Sequence, residues 1–582
     1  MKVTRGITIL LILSGLLLIS TAFSFSLNAA GTNETHLSDQ KMVITVTPSQ
    51  ISVPTVVASH IPVRITVTGP DITSLQIYGE SSAGNRLVYS EAFSSRPYYQ
   101  IYLPIPDNLI SPSVNLVIVI NHNVTFTVPI TFSPEISPIF SDISLVVGIT
   151  LFLSGAYLYP PLKGFRYWLL LPPFILLSML FGQRYDMYYM IAVGLRILDG
   201  VNPYLASQST LPGLQYAYPP GFVPWSVFSD YIVFRITRMS YPGVATLNFI
   251  GTQYGSLYGV WRSLEGTNLL LLYTIIKLPM VLSFFWSYRT LRQVNNKVSW
   301  KLWFLNPIAV VVGILWGQID IIAVAFMLQS ILYFRSGKEF SAVLFAGIGA
   351  TVKVFPALLI PYLLIRSKHR KSAALGILPA IVFTLAMYAV TGNVESDVLH
   401  LFISRAVPTF NGIFIANGLT WQVLVTDLGF TTFPSLFTYV FIPVYFLLLF
   451  LFTRRNVIPE YFFITVLFLF FLTYNLVNPQ YFIWIIPLLL MTGENKSAIV
   501  LSAISGLYLY LMYSFAYFIN PQISWNYASS VLGQFESLRL SITSSEYVAM
   551  TIGLISAAIY LTYFLKFLRT SAMGNKSTAV EH

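Results

Sequence analysis

The pattern of apolar and polar positions divides the chain into three stretches. Residues 7–25 are an uncharged, mostly apolar run behind Lys2 and Arg5, which predicts a signal anchor, or else a secretory signal cleaved at Ala29-Ala30-Gly31. We read it as an anchor. Residues 40–132 alternate, with Val43, Thr45 and Thr47 set against Ile44 and Val46, and later Val63, Ile65 and Val67. This stretch is broken by Pro, Gly and Asn, with one sequon just before it at Asn33 and one within it at Asn123, so it predicts about seven short strands in a β-sandwich. From residue 142 the periodicity disappears into apolar runs separated by short loops.

Those runs predict crossings of a bilayer, which needs roughly 20 apolar residues per helix. They fall at 142–159, 167–182, 268–287, 300–316, 319–334, 340–352, 354–366, 372–391, 434–453, 460–476, 480–491, 497–518 and 546–565. The short runs 340–352 and 354–366 read as half-helices or a tilted pair. Region 221–260 reads either as a membrane-embedded external loop or as two more crossings that turn at Arg235 and Arg238. The expected fold is thus a polytopic α-helical membrane protein of about 14 spans, or 16, with an N-terminal extracytoplasmic β-sandwich. The expected domains are an anchor or signal at 1–26, the sandwich at 27–141, a membrane domain at 142–566 and a tail at 567–582. External loops are expected at 183–267 and 392–433.

Composition narrows the function class. Only 9% of residues are charged and 55% are hydrophobic, against roughly 25% charged in soluble domains. Soluble enzymes and nucleic-acid binders are excluded, and the lipid bilayer is the first expected partner. The absence of cysteine excludes disulfides and thiolate chemistry. The net charge of +11 reads as a topology marker. With the N-terminus inside, 20 of the 33 basic residues fall in short inner segments, joined by only four acids, Glu339, Glu460, Glu494 and Glu581. That sorting predicts a multi-pass cell-membrane protein with both termini cytoplasmic and the sandwich outside.

Once the orientation is set, the polar residues that composition does not explain gather at the outer ends of the spans. They are Arg184-Tyr-Asp186, Trp316-Gly-Gln318-Ile-Asp320, Lys353, Glu395-Ser-Asp397, Asn475 with Asn478-Pro-Gln480-Tyr481, and Asn520-Pro-Gln522. Ionisable groups at membrane depth are costly and usually functional. Their confinement to one rim points to an extracytoplasmic site. Asp186 stands where a helix N-cap is expected, followed by an apolar stripe of Met187, Met190, Ile191, Gly194, Leu195 and Leu198 and a stop at Gly200 and Pro203. This predicts an interfacial helix lying on the outer leaflet.

In their order, these features resemble the GT-C superfamily of integral-membrane glycosyltransferases. Within it the chain is similar to the polyprenyl-phosphate-mannose-dependent mannosyltransferases of prokaryotes. The resemblance rests on Asp186 with its aromatic helix, Gly200-Val-Asn-Pro-Tyr, Tyr-Pro-Pro at 218–220, Trp-Gly-Gln-Ile-Asp at 316–320, Lys353-Val-Phe-Pro356 and Asn-Pro-Gln-Tyr at 478–481. The Trp-Gly-Gln-x-Asp segment also looks like that of the GPI-anchor mannosyltransferases. The resemblance spans roughly residues 160–500.

It implies transfer of a hexose, mannose first, from a polyprenyl-phosphate-linked donor to a glycan or lipid-linked acceptor, with inversion. Asp186 would be the general base. Arg184, Lys353 and Arg405 would hold the donor phosphate, and Tyr189, Trp316, Gln318, Asp320, Asn478, Gln480 and Tyr481 would bind sugar or acceptor. No cofactor and no metal are expected.

Each assignment has a plainer competitor. Asp186 could be only a helix cap, Lys353 could snorkel, and Arg405 could pair with Glu395 or Asp397. Gln318 and Asp320 could lock a helix junction around Gly317, and Asn478 and Gln480 could satisfy backbone freed by Pro479. Glu395, Asp397 and His400 have a weak metal-like spacing. A lipid or polysaccharide transporter, or a protein or oligosaccharyl glycosyltransferase of the same superfamily, are the competing functions.

Overall fold

The computed structural model describes residues 14, 41–46, 49–54, 56–58, 63–81, 84–103, 113–121, 124–133, 167–198, 200, 202–204, 216, 218–237, 269–391, 409–410, 413–414, 417–427, 439–512, 518, 520 and 546–572. Apart from Ser14, the expected anchor lies outside these residues, as does the expected span at 142–159.

Seven strands follow one another in the alternating stretch: β1 (Lys41–Val46), β2 (Ser49–Pro54), β3 (Val56–Ala58), β4 (Val63–Ser81), β5 (Gly84–Leu103), β6 (Ser113–Ile120) and β7 (Val124–Ser133). They form one hydrogen-bonded network in the order β1-β2-β4-β6-β7-β3, with β5 on the other edge of β4. Two strands are long, 19 and 20 residues, where short ones were expected. A register shift between Thr68 and Ile72 explains the length, because it lets β2 pair with the first half of β4 and β6 with the second. Hydrogen bonding does not divide the strands into the two sheets of the expected sandwich. Alternation buries Ile65, Val67, Leu75 and Ile77 against Leu116, Ile118, Phe126 and Val128.

The rest of the described chain is helical. The main helices are α1 (Leu171–Leu180), α2 (Arg184–Leu198), α3 (Val223–Thr237), α4 (Leu269–Val294), α5 (Asp320–Arg335), α6 (Glu339–Val352), α7 (Leu378–Val390), α8 (Phe441–Arg454), α9 (Pro459–Thr473), α10 (Phe482–Met491), α11 (Asn495–Met512) and α12 (Glu546–Ala572). Among the described residues three stretches, 269–294, 370–390 and 551–569, are long and apolar enough to cross a membrane. Eight shorter apolar helices of 10–17 residues accompany them. Several flanks stay apolar and exposed, notably Val382, Leu385 and Val390 on α7 and Phe446, Leu447 and Phe450 on α8. Lipid accepts such surfaces, whereas a soluble monomer rarely shows them contiguously. Both ends of α10 are sealed in protein, since all ten of its residues are buried.

The irregular places in the helices position the site. The stretch 300–316, expected as one span, breaks at Asn306-Pro307, where Asn306 Oδ1 accepts the Ala309 N–H at 3.0 Å. It resumes as Pro307–Val310 and ends in a π-helical turn, Val311–Trp316. The pair 340–352 and 354–366 separates at Lys353, whose backbone is extended (φ −148, ψ 137). The last helix continues to Ala572, past the expected start of the tail. Region 221–260 shows a helix at Val223–Thr237 and is not described beyond it.

Candidate active site

The site grows from three helix breaks that meet at one end of the bundle. The first lies between α1 and α2. Gln183 is the residue before α2, and its Oε1 accepts the Asp186 backbone N–H at 2.7 Å. Gln183 is therefore the cap, which corrects the expectation that Asp186 fills that place. Asp186 sits one turn in, and its carboxylate is spared from capping. The second break is Trp316–Asp320, where Gly317 takes φ +80, a conformation that costs glycine little and other residues much. That turn aims two donors back at α2. Trp316 Nε1 donates to Asp186 Oδ2 at 2.5 Å, and the Gln318 side-chain amide donates to the same oxygen.

The third break, at Lys353, meets the start of α5. Lys353 Nζ donates to Asp320 Oδ2 at 2.9 Å, and Trp484 Nε1 donates to Asp320 Oδ1 at 2.6 Å. Asp320 is fully buried, so both oxygens are engaged and the ammonium compensates the charge. The ammonium also lies 4.1 Å from the Tyr218 ring centroid, a cation–π distance. Trp484 is held between two rings, each at 4.4 Å: Phe355 and Tyr481. Tyr189, Tyr204, Tyr216, Tyr218 and Tyr388 form a connected aromatic wall beside this pair.

The helix carrying Asp186 does not lie on a surface, as its amphipathic stripe led us to expect. Met187, Ile191 and Leu195 are buried, but so are Ala192, Val193 and Arg196. Helix α3 covers it at close range. A Cβ at Gly194 would come within 2.7 Å of the Ser226 carbonyl and would overlap the Asp230 carboxylate. Burial pushes the Asp186 carboxyl up to about 6, against the Trp316 and Gln318 donors and the Lys353 charge, which pull it down. A carboxylate tuned into that range is poised to take up a proton near neutral pH.

The structure thus brings Asp186, Trp316 and Gln318 into one hydrogen-bonded group. Asp320, Lys353 and Tyr481 stand in a second group whose charges act on the first. Tyr189 belongs to the tyrosine wall. Trp316, expected to offer its face to a sugar, is only 2% exposed and packs edge-on against Phe518 at 5.4 Å. Asn478 starts a short 3-10 turn, Pro479–Tyr481, in which Gln480 is buried. Asn520 proves a brace, with its amide donating to the Met179 and Leu269 carbonyls. Arg184 is the first residue of α2. Arg405 lies outside the described residues, and so do Glu395, Asp397 and His400. Among the described residues no group of three His, Asp or Glu could hold a metal.

Sequence reasoning missed Trp484, Lys277 and Asp230. Nothing distinguishes Trp484 from its apolar neighbours. Lys277 did carry a signal, being a lone charge inside the run 268–287. It is fully buried, and its Nζ donates to the Phe181 carbonyl at 2.6 Å and the Leu315 carbonyl at 3.3 Å. Lys277 thereby ties the first break to the second.

Comparison with known proteins is in keeping with this geometry. The family model described as Glycosyltransferase family 87 matches residues 216–479. The matched stretch holds Trp316, Gln318, Asp320 and Lys353 and ends at Pro479, while Asp186 precedes it. No curated protein matches the chain. Over those residues the chain is similar to a family of glycosyltransferases, and with its apolar helices this supports a membrane-bound transferase.

Proposed function

We propose that the protein transfers a hexose, mannose first, from a polyprenyl-phosphate-linked donor to a glycan or lipid-linked acceptor at the extracytoplasmic face. The reading rests above all on Asp186, a part-buried carboxylate held by two side-chain donors and raised to about 6. In the reaction the acceptor hydroxyl oxygen attacks the anomeric carbon and its proton passes to Asp186. The bond from that carbon to the phosphate oxygen breaks as the new one forms, so the configuration inverts and polyprenyl phosphate leaves with the electron pair. The Trp316 and Gln318 donors hold the carboxylate in place and keep part of it ionised. Lys353 uses one ammonium donor on Asp320 and has others for the phosphate.

An apolar groove of about 410 Å³ supports a lipid donor. Gly221, Phe222, Trp225, Ile322, Thr351 and Val352 line it, and Val352 precedes Lys353 in the chain. A charged head at Lys353 with an apolar tail in the groove matches an amphipathic donor.

The test is transfer from radiolabelled polyprenyl-phosphate-mannose in membranes carrying the wild type or Asp186→Asn. The expected result is transfer by the wild type and none by the variant at equal protein level. Equal transfer by both would remove Asp186 from the chemistry. No transfer by either would overturn the donor assignment and bring the transporter reading forward.

A further inference from the structure

A second cavity, of about 490 Å³, lies far from the carboxylates, between the other ends of α4 and α5. Its lining includes Trp286, Arg289, Gln329, Tyr333, Ser336 and Lys338. Arg289 is 12 residues beyond Lys277 on α4, and Tyr333 is 13 beyond Asp320 on α5. At 1.5 Å per residue these spacings set the cavity about 18–20 Å from the site, along the bundle axis.

The chemistry of the lining is one-sided. Arg289 and Lys338 are exposed cations, and no acid is among the lining residues. The neighbouring Arg335 is already committed, its Nε 2.6 Å from Glu460, and Glu339 accepts the Lys368 and His369 backbone N–H groups instead of facing Lys338. The Lys338 ammonium stands 5.8 Å from the Tyr333 ring. The buried Gln329 has its oxygen engaged by Trp286 Nε1 at 3.2 Å and Thr290 Oγ1 at 3.0 Å, so its NH2 is what it can offer a ligand. Two cations and an amide donor suit a phosphate group, with Arg289 able to bind it bidentately. Trp286 and Tyr333 are the residue types that settle at headgroup depth.

We propose that this cavity binds the phosphate headgroup of an anionic membrane lipid in the leaflet opposite the site, which the sorting of charges makes the cytoplasmic one. The inference rests on the chain standing in a bilayer and not on which sugar it transfers.

The test uses the purified full chain in detergent, titrated with phosphatidylglycerol or phosphatidylcholine and read by native mass spectrometry, with no sugar donor present. The wild type should hold one phosphatidylglycerol in preference to phosphatidylcholine. The pair Arg289→Gln with Lys338→Gln should weaken that binding about tenfold, as the loss of charge-assisted contacts implies. The control pair Arg370→Gln with Lys371→Gln, equally exposed and outside the cavity, should leave it unchanged. Equal loss in the control, or no preference between the lipids, would overturn the proposal. Displacement of the lipid by millimolar inorganic phosphate would reassign the cavity to a free anion and overturn the lipid reading.

Discussion

The two ends of the helical bundle use the same residue types in opposite ways. At the end holding Asp186, the carboxylates take indole and amide donors, and the Lys353–Asp320 pair is withdrawn from solvent, with side chains 11% and 0% exposed. At the other end Lys566 meets Glu494 at 2.6 Å with the side chains 43% and 26% exposed. Glu460 and Lys301 depart from this, being buried at that end, and Glu460 is reached by a half-exposed Arg335. Charge withdrawn from solvent, as at the Asp186 end, is worth its desolvation cost only if it performs a task. Exposed charge, as in the Lys566–Glu494 pair, costs little and needs no exact partner.

The sharpest way to break this contrast is Asp186→Asn, which should lower transfer by 10²–10⁴-fold, the range that general acid–base groups contribute. Initial rates at matched protein level check it. Next comes Lys353→Met, which strands Asp320 as a buried unpaired charge and should cost about 3–5 kcal/mol, read as a large fall in melting temperature. Trp316→Phe removes one of the donors that favour the ionised carboxylate.

The wild-type transfer rate should therefore climb as pH rises through about 6 and level off above it. In Trp316→Phe the same limb should move to higher pH by up to about one unit. The sign for stability is the reverse. Between pH 3.8 and 6 the folded chain holds a proton that the unfolded chain has lost, so stability falls across that window as pH rises. Smallest of all is Lys566→Gln, expected to cost at most about 1 kcal/mol, as exposed pairs do, with transfer unchanged.

What the sequence made legible follows from cost. Trp-Gly-Gln-Ile-Asp and Lys353 stand out because polar groups next to apolar runs need a reason to be there, and the structure brings Gln318 to Asp186 and Lys353 to Asp320. The partner that positions Asp320 was illegible, because Trp484 sits in an apolar helix as any aromatic would. Helix α2 was misjudged from its stripe. Periodicity reports which face is apolar, yet a helix covered by a neighbour can also bury Arg196, which the stripe does not reveal. The start of that helix was misplaced for a local reason: Gln183, seldom a capping residue, takes the role usually given to Asp, Ser, Thr or Asn. The long strands were hidden by a register shift, which looks like a turn in an alternation pattern.

Lys277 has a consequence for anyone exchanging parts between such enzymes. Its stem fills the space above Gly317, with Cε 2.8 Å from where a Cβ would stand, and its head binds the carbonyls on either side of the junction. The Trp316–Asp320 loop is therefore not a portable cassette. A chimera that imports the loop without a lysine at 277 leaves two carbonyls and a void at the joint. One that keeps Lys277 but imports a residue other than glycine at 317 collides with it. The loop and the helix behind it can be exchanged only as a matched set, which sets the smallest unit that can be swapped to alter what this end of the molecule accepts.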